Sequence, residues 1–270
     1  FIAHEMSHAW FGNKVTCATD GDMWLNEGFA TFSNYYYLTE LYGEDVYNEY
    51  MNDLINNIIM SCHTKEGWIP LNDMSLDLTY GTTVYDKGAI VVHTLMNYLG
   101  KETFDAVMKQ YIEKFAFKTV SSEELRDAIS EFTNIDMTDF FDTWVFTPGS
   151  PVYSVNSFSS KENGDKYDIE IEMNQRHRGA NHTGNSIRYE LTFVDKDWNM
   201  QSEMIEWDNT NAIITKTLDF EPIAIFCDYN NKFADACHSY NYIANKTGNK
   251  EFKDARIKLV AKEISDSTLL

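Results

Sequence analysis

Four residues near the start of the chain have the types and spacing to hold a metal ion and use it. His4, Glu5 and His8 stand in the run HEMSH, and Glu27 follows in WLNEGFA, with eighteen residues between His8 and Glu27. On a helix, His4 and His8 lie one turn apart on the same face. Two imidazole nitrogens there can approach one tetrahedral Zn2+ at about 2.0–2.1 Å. Glu27, on the first turn of a second helix, supplies a third, oxygen ligand. Three protein ligands leave one coordination position open, which separates a catalytic zinc site from a structural one. Glu5 points to the side of the metal, where a bound water would lie, and is placed to act as general base. HExxH alone also arises by chance on helical surfaces, so the elements that carry it matter.

After the histidines, FGNKVTCATDGD reads as a loop with Gly12 and Gly21 as breakers. Asp22 in that loop is a candidate for orienting a ligand histidine from behind, with a plain turn residue as the alternative. Leu25 to Leu41 has helical spacing, ends at Gly43 and presents Glu27 on its first turn. Asp45 to about His63 is a longer helix whose Tyr47, Met51, Leu54, Ile58 and Ile59 are core. Trp68 to Tyr80 is irregular and free to line a cleft. Tyr85 to Leu99 is the next helix, opened by YDKGA. A phenol beside a zinc site can donate to the oxyanion formed when water attacks a carbonyl, but 16 tyrosines in the chain make residue type a poor selector. His93, among Val91, Val92 and Leu95, reads as a core histidine. Helices at Glu102 to Phe115, after the capping-box run Ser121-Ser122-Glu123-Glu124, and at Met137 to Phe146 complete a helical part over residues 1–150.

TPGSPVYSV, with Pro148, Gly149 and Pro151, reads as a boundary. Beyond it YDIEIEM, RYELTFV, MQSEMIEW, AIITKTL and PIAIFCD alternate or run apolar in short segments, which predicts a small all-β sandwich over residues 151–232. RHRGANHTGN between two of these strands reads as a solvated loop, a metal or anion site being the alternative. Residues 233–270 form a tail, helical or irregular around Tyr240 to Thr247 and strand-like in ARIKLVAKEI, as at the start of a further, truncated domain.

With 43% hydrophobic residues the chain can bury a sizeable core. No apolar run approaches the roughly 20 residues needed to cross a bilayer. A formal net charge of −20 excludes a nucleic-acid partner, which needs a basic face. Residues 1–150 hold 23 acidic against 8 basic side chains and residues 151–270 hold 19 against 14, so the acidity gathers around the metal motif. Such a field attracts cations such as a peptide's α-ammonium, although solubility explains it equally well. Cys17, Cys62, Cys227 and Cys237 lack CxxC spacing, which excludes a cysteine zinc site. Cys227 and Cys237 could pair across a loop. The compartment stays open, with a lean towards an exported or periplasmic protein, and the oligomeric state is not legible.

The run HEMSHAWFGNKVT followed by WLNEGFA, with Tyr85-Asp86-Lys87-Gly88-Ala89 downstream, resembles the alanyl aminopeptidase (aminopeptidase N-type) family of gluzincin zinc metallopeptidases. The resemblance implies the C-terminal, mainly α part of a thermolysin-like catalytic domain followed by a β-sandwich. It implies one Zn2+ per chain on His4, His8 and Glu27, Glu5 as general base, Tyr85 as the oxyanion donor, and peptide substrates. Glu27 could also share in binding the substrate's amine. The family's Gly-x-Met-Glu-Asn segment, which anchors that amine, does not occur in these residues and is expected upstream of Phe1. The chain therefore reads as a fragment beginning at the HExxH helix, and activity is not expected of the isolated 270 residues. A metallo-endopeptidase with the same zinc chemistry, and a non-catalytic protein-binding scaffold, are the alternatives.

Overall fold

Helix α4 (Gly88–Leu99) is the post around which the first half of the chain is packed. Every one of its residues except Asn97 is buried, as expected of a helix apolar on all sides. The structure, a computed structural model, describes residues 2–236 and the strand Lys258–Ala261. Most of the 233–270 tail, including Tyr240 to Thr247 and Cys237 of the expected cysteine pair, lies outside the described residues.

Before α4 come α1 (Ile2–Ser7), the short strand β1 (Val15–Cys17), α2 (Trp24–Tyr42) and α3 (Glu44–Glu66). α2 stops at Gly43, as its sequence predicts. It buries Trp24, Leu25, Phe29 and Phe32, and α3 buries Met51, Ile55, Ile58 and Ile59. Each such side chain removed from water stabilises the fold by about 1.5–3 kcal/mol. His93 is a core histidine: 2% exposed, with Nδ1 2.6 Å from the Tyr47 hydroxyl and Nε2 2.8 Å from the Asn231 carbonyl. After α4 follow α5 (Lys101–Lys114), β2 (Lys118–Val120), α6 (Ser122–Thr133), α7 (Thr138–Phe141) and a π-helical turn over Asp142–Phe146. The capping box forms: Glu124 N donates to Ser121 Oγ at 3.2 Å and Ser121 N to Glu124 Oε2 at 2.9 Å.

One pairing has no signature in the sequence. β1 and β2 pair in parallel, Val15 opposite Lys118 and Cys17 opposite Val120. The stretch after the histidines is therefore tied to the start of α6 rather than being a free loop. Three-residue strands are too short for alternation to register.

The changeover from helix to strand falls between Phe146 and Ser150. The strands are β3 (Ser150–Asn163), β4 (Lys166–Arg178), β5 (Ile187–Val194), β6 (Met200–Trp207), β7 (Asn211–Leu218), β8 (Ala224–Cys227) and β9 (Lys258–Ala261). Among the described residues they form two antiparallel sheets, ordered β3-β4-β7 and β6-β5-β8-β9. Ile169, Ile171 and Met173 of β4 and Tyr189, Leu191 and Phe193 of β5 are fully buried in one apolar cluster, which also takes in the helices. Alternation on β4, with exposed Glu170 and Glu172 between, produces that inward face.

β3 was hidden by its proline: Pro151 reads as a break, but β3 lies at a sheet edge among the described residues, where a missing N–H is tolerated. Arg176, His177 and Arg178 likewise are not loop residues but the end of β4, paired with the start of β3. Burial, and then the neighbouring His182, lower the His177 pKa from 6.5 to about 4. A histidine held neutral by folding stabilises above its unfolded pKa, and that stability is lost as pH falls from about 6.5 towards 4. The urea midpoint should therefore fall between pH 7 and pH 5 by less in His177→Gln than in wild type; equal falls would contradict this. Among the described residues no helix is long and apolar enough to cross a membrane.

Candidate active site

His4 lies in α1, and His8 follows the helix's last residue, Ser7, in a turn that still carries helical hydrogen bonding (Phe11 N to Ser7 O, 3.0 Å). Glu27 is on the first turn of α2. The three side chains meet. His4 Nε2 and His8 Nε2 are 3.2 Å apart, and each is 3.3 Å from Glu27 Oε2. Ligand atoms on a tetrahedral ion at about 2.0–2.1 Å stand about 3.3–3.4 Å from one another, so this triangle has the edge length of a zinc tetrahedron. Glu27 Oε2 is buried and accepts no hydrogen bond, which is costly for a carboxylate unless a cation faces it. Two imidazole nitrogens and one carboxylate oxygen are also the donor set that zinc takes. The residues fit the ion, and among the described residues this is the one cluster of three such groups with metal-binding geometry.

Each histidine is oriented from behind. His8 Nδ1 donates to the Phe11 carbonyl at 2.9 Å, which leaves Nε2 with its lone pair towards the triangle. The Phe11 ring stacks on Phe29 of α2 at 4.8 Å, fixing the turn. Gly12 has φ 131°, and a Cβ there would lie 3.2 Å from His8 Nδ1, so this position needs glycine twice over. His4 Nδ1 is 3.4 Å from Thr31 Oγ1, a longer contact from the turn of α2 after Glu27.

Asp22 does not orient a histidine. It is buried, its Oδ1 accepts from Ser122 N at 3.1 Å and Ser122 Oγ at 2.6 Å, and its Oδ2 accepts from Thr19 Oγ1 at 3.2 Å. Trp24 Nε1 donates to the same Ser122 Oγ at 2.9 Å. Asp22 thus joins the start of α2 to the start of α6, and the histidines find backbone and hydroxyl partners instead. Asn26, whose role has no signature in the sequence, completes the anchoring: Cys17 N donates to Asn26 Oδ1 at 3.1 Å and Asn26 Nδ2 to Thr16 Oγ1 at 3.0 Å.

Tyr85 sits in a π-helical turn, Thr83–Lys87, that leads directly into α4. Such turns recur at functional sites because they re-aim a side chain within a helix. The ring stacks on that of His4, with centroids 6.0 Å apart and planes 11° from parallel. The backbones of α2 and α4 touch at Gly28 and Gly88, where a Cβ on either would lie 2.9 Å from the other's Cα. Glu27 precedes one glycine by one residue and Tyr85 the other by three, so this contact sets their separation. Gly88→Ala should lower stability by about 1–3 kcal/mol through overpacking and reduce turnover; an unchanged urea midpoint would contradict the close contact. Burial first, then the charge of Glu27 and a hydrogen bond to it, then Tyr80 and Glu5, push the Tyr85 phenol up to about 12. It remains a donor at neutral pH. Glu5 is exposed on α1, one residue past His4, near enough for its charge to act on Tyr85.

Residues 1–144 match the Peptidase family M1 domain. The chain is 33% identical over 161 residues to probable aminopeptidase 1 of Sulfurisphaera tokodaii, a match that takes in 57% of this chain and 20% of that protein. It is 30% identical over 178 residues to aminopeptidase M1-D of Oryza sativa subsp. japonica, covering 64% of this chain and 20% of the relative. It is 32% identical over 161 residues to the mitochondrial aminopeptidase 2 of Saccharomyces cerevisiae, covering 57% and 17%. The chain thus spans about a fifth of the length of these relatives. The crystal structure of Legionella pneumophila aminopeptidase A in complex with aspartic acid superposes with a TM-score of 0.66 over 87% of this chain and 26% of that one, at 19% identity, which shows a common fold. Since the family match runs over more than half of its residues, the chain belongs to peptidase family M1.

Proposed function

We propose that this chain carries the metal-binding and proton-transfer groups of a zinc-dependent aminopeptidase that hydrolyses N-terminal residues from peptides. The observation that supports it most is the triangle of His4 Nε2, His8 Nε2 and Glu27 Oε2 at tetrahedral edge length, with the Tyr85 ring stacked beside His4. His4, His8 and Glu27 would hold the ion. When bound, Zn2+ supplies Lewis acidity and makes water a nucleophile at neutral pH.

The remaining chemistry belongs to the side chains. Glu5 takes the proton of the attacking water and passes it to the leaving amine, which needs a carboxylate free of the ligand set. The Tyr85 phenol, kept protonated, donates to the oxyanion as it forms. Glu27 and the acidic surroundings favour a substrate's α-ammonium.

A free amine is then the feature that the substrate must have. The full-length protein should hydrolyse an amino-acid anilide and leave its N-acetylated counterpart intact. Preference for the blocked compound would point instead to an endopeptidase.

A further inference from the structure

Glu66 is the last residue of α3, the C-terminal end of a helix, where a carboxylate meets the negative pole of the helix dipole. Its side chain instead crosses to the start of another helix. Oε1 accepts from Thr82 N at 2.6 Å, and Oε2 accepts from Thr83 N at 2.9 Å and from Thr83 Oγ1 at 2.6 Å. These N–H groups open the π-turn that holds Tyr85 and runs into α4, and no side chain of the turn's own N-cap residue, Thr82, satisfies them. First-turn N–H groups have no partner within their helix, and an anion there is favoured by the dipole. Burial acts to raise the Glu66 pKa, but the hydrogen bonds from Thr83 and Thr82 prevail and hold it below the usual carboxylate range. The carboxylate is also closely housed: a Cβ on Gly81 would lie 2.8 Å from Oε1.

We infer that Glu66 is a positioning residue for Tyr85: by clamping the first N–H groups of the π-turn from α3, it aims the phenol at the oxyanion. Two fixed points then define the turn, Glu66 at its start and the Gly28–Gly88 contact at its end. Tyr85 lies between them. An ordinary helix cap would serve stability alone, wherever its helix stood. This one holds a wide turn whose third residue is the proposed donor, so its loss should be read in kcat. The inference rests on the oxyanion role proposed for Tyr85.

The test uses the full-length zinc-loaded protein as wild type, Glu66→Gln, Tyr85→Phe and the double variant. Glu66→Gln should lower kcat by about tenfold or more, since small misplacement of a catalytic group costs up to about 100-fold. KM and zinc content should stay as in wild type. In the Tyr85→Phe background Glu66→Gln should lower kcat little further, because the two act as a unit. Amide hydrogen exchange at residues 82–85 should quicken in Glu66→Gln while Val91 to Leu95 keep their protection. If Glu66→Gln unfolds the protein, Thr83→Val, which removes one of the three bonds, should give the same pattern at smaller amplitude. Unchanged kcat, an equal loss in both backgrounds, or unchanged exchange at 82–85 would each overturn the inference. Tyr85→Phe with full activity would overturn it together with the oxyanion role. Absence of turnover in wild type on any free-amine substrate would count against the peptidase reading alone, leaving the exchange comparison to decide whether Glu66 holds the turn.

Discussion

Glu5→Gln in the full-length protein is expected to lower kcat by about 10²–10⁴-fold and to leave zinc bound. Glutamine has the shape of glutamate but cannot accept a proton. Glu5 is outside the ligand triangle, whose three corners are His4, His8 and Glu27, so the change removes the base without removing the ion. His8→Ala should behave differently and lose zinc and turnover together. Steady-state kinetics and metal analysis on the two variants separate these cases. A Glu5→Gln protein with wild-type turnover would mean that another group moves the proton, and it is the outcome that a non-catalytic scaffold predicts.

Tyr85→Phe should reduce kcat by about 10²–10³-fold, the usual cost of removing one oxyanion donor, with KM close to wild type. The phenol is needed only as charge develops on the carbonyl oxygen, so its loss belongs in kcat. Because burial pushes the phenol above the ordinary tyrosine value, the wild-type rate should show no loss from its ionisation between pH 6 and 9. A Tyr85→Phe variant that raised KM and spared kcat would make Tyr85 a substrate-binding group instead.

The cluster of His4, His8 and Glu27 was legible because its geometry is local. One helical turn separates His4 from His8, and a glycine-ended helix with Glu27 on its first turn follows at short range. Most helices and the alternating strands were legible for the same reason: their periods are written in consecutive residues. What was hidden depends on partners far along the chain. Asp22 reads as either a support for a histidine or a plain turn residue because only its sequence neighbours are visible, whereas its partner is Ser122. β1 and β2, the Gly28–Gly88 contact and the reach of Glu66 to Thr82 and Thr83 have no local signature. The π-turn at Tyr85 hid inside a stretch whose residue types read as plain helix. β3 was lost to Pro151, whose turn-forming tendency is overridden at a sheet edge. The residues of the cluster were therefore readable before their support was.

The most direct test is the zinc content of the purified full-length protein, measured together with hydrolysis of amino-acid anilides before and after chelation. The expected result is one Zn2+ per chain, loss of turnover when the chelator removes it, and recovery on adding zinc back. A protein that binds no zinc at stoichiometric level, or that hydrolyses the anilides equally well without it, would contradict a metal centre on His4, His8 and Glu27.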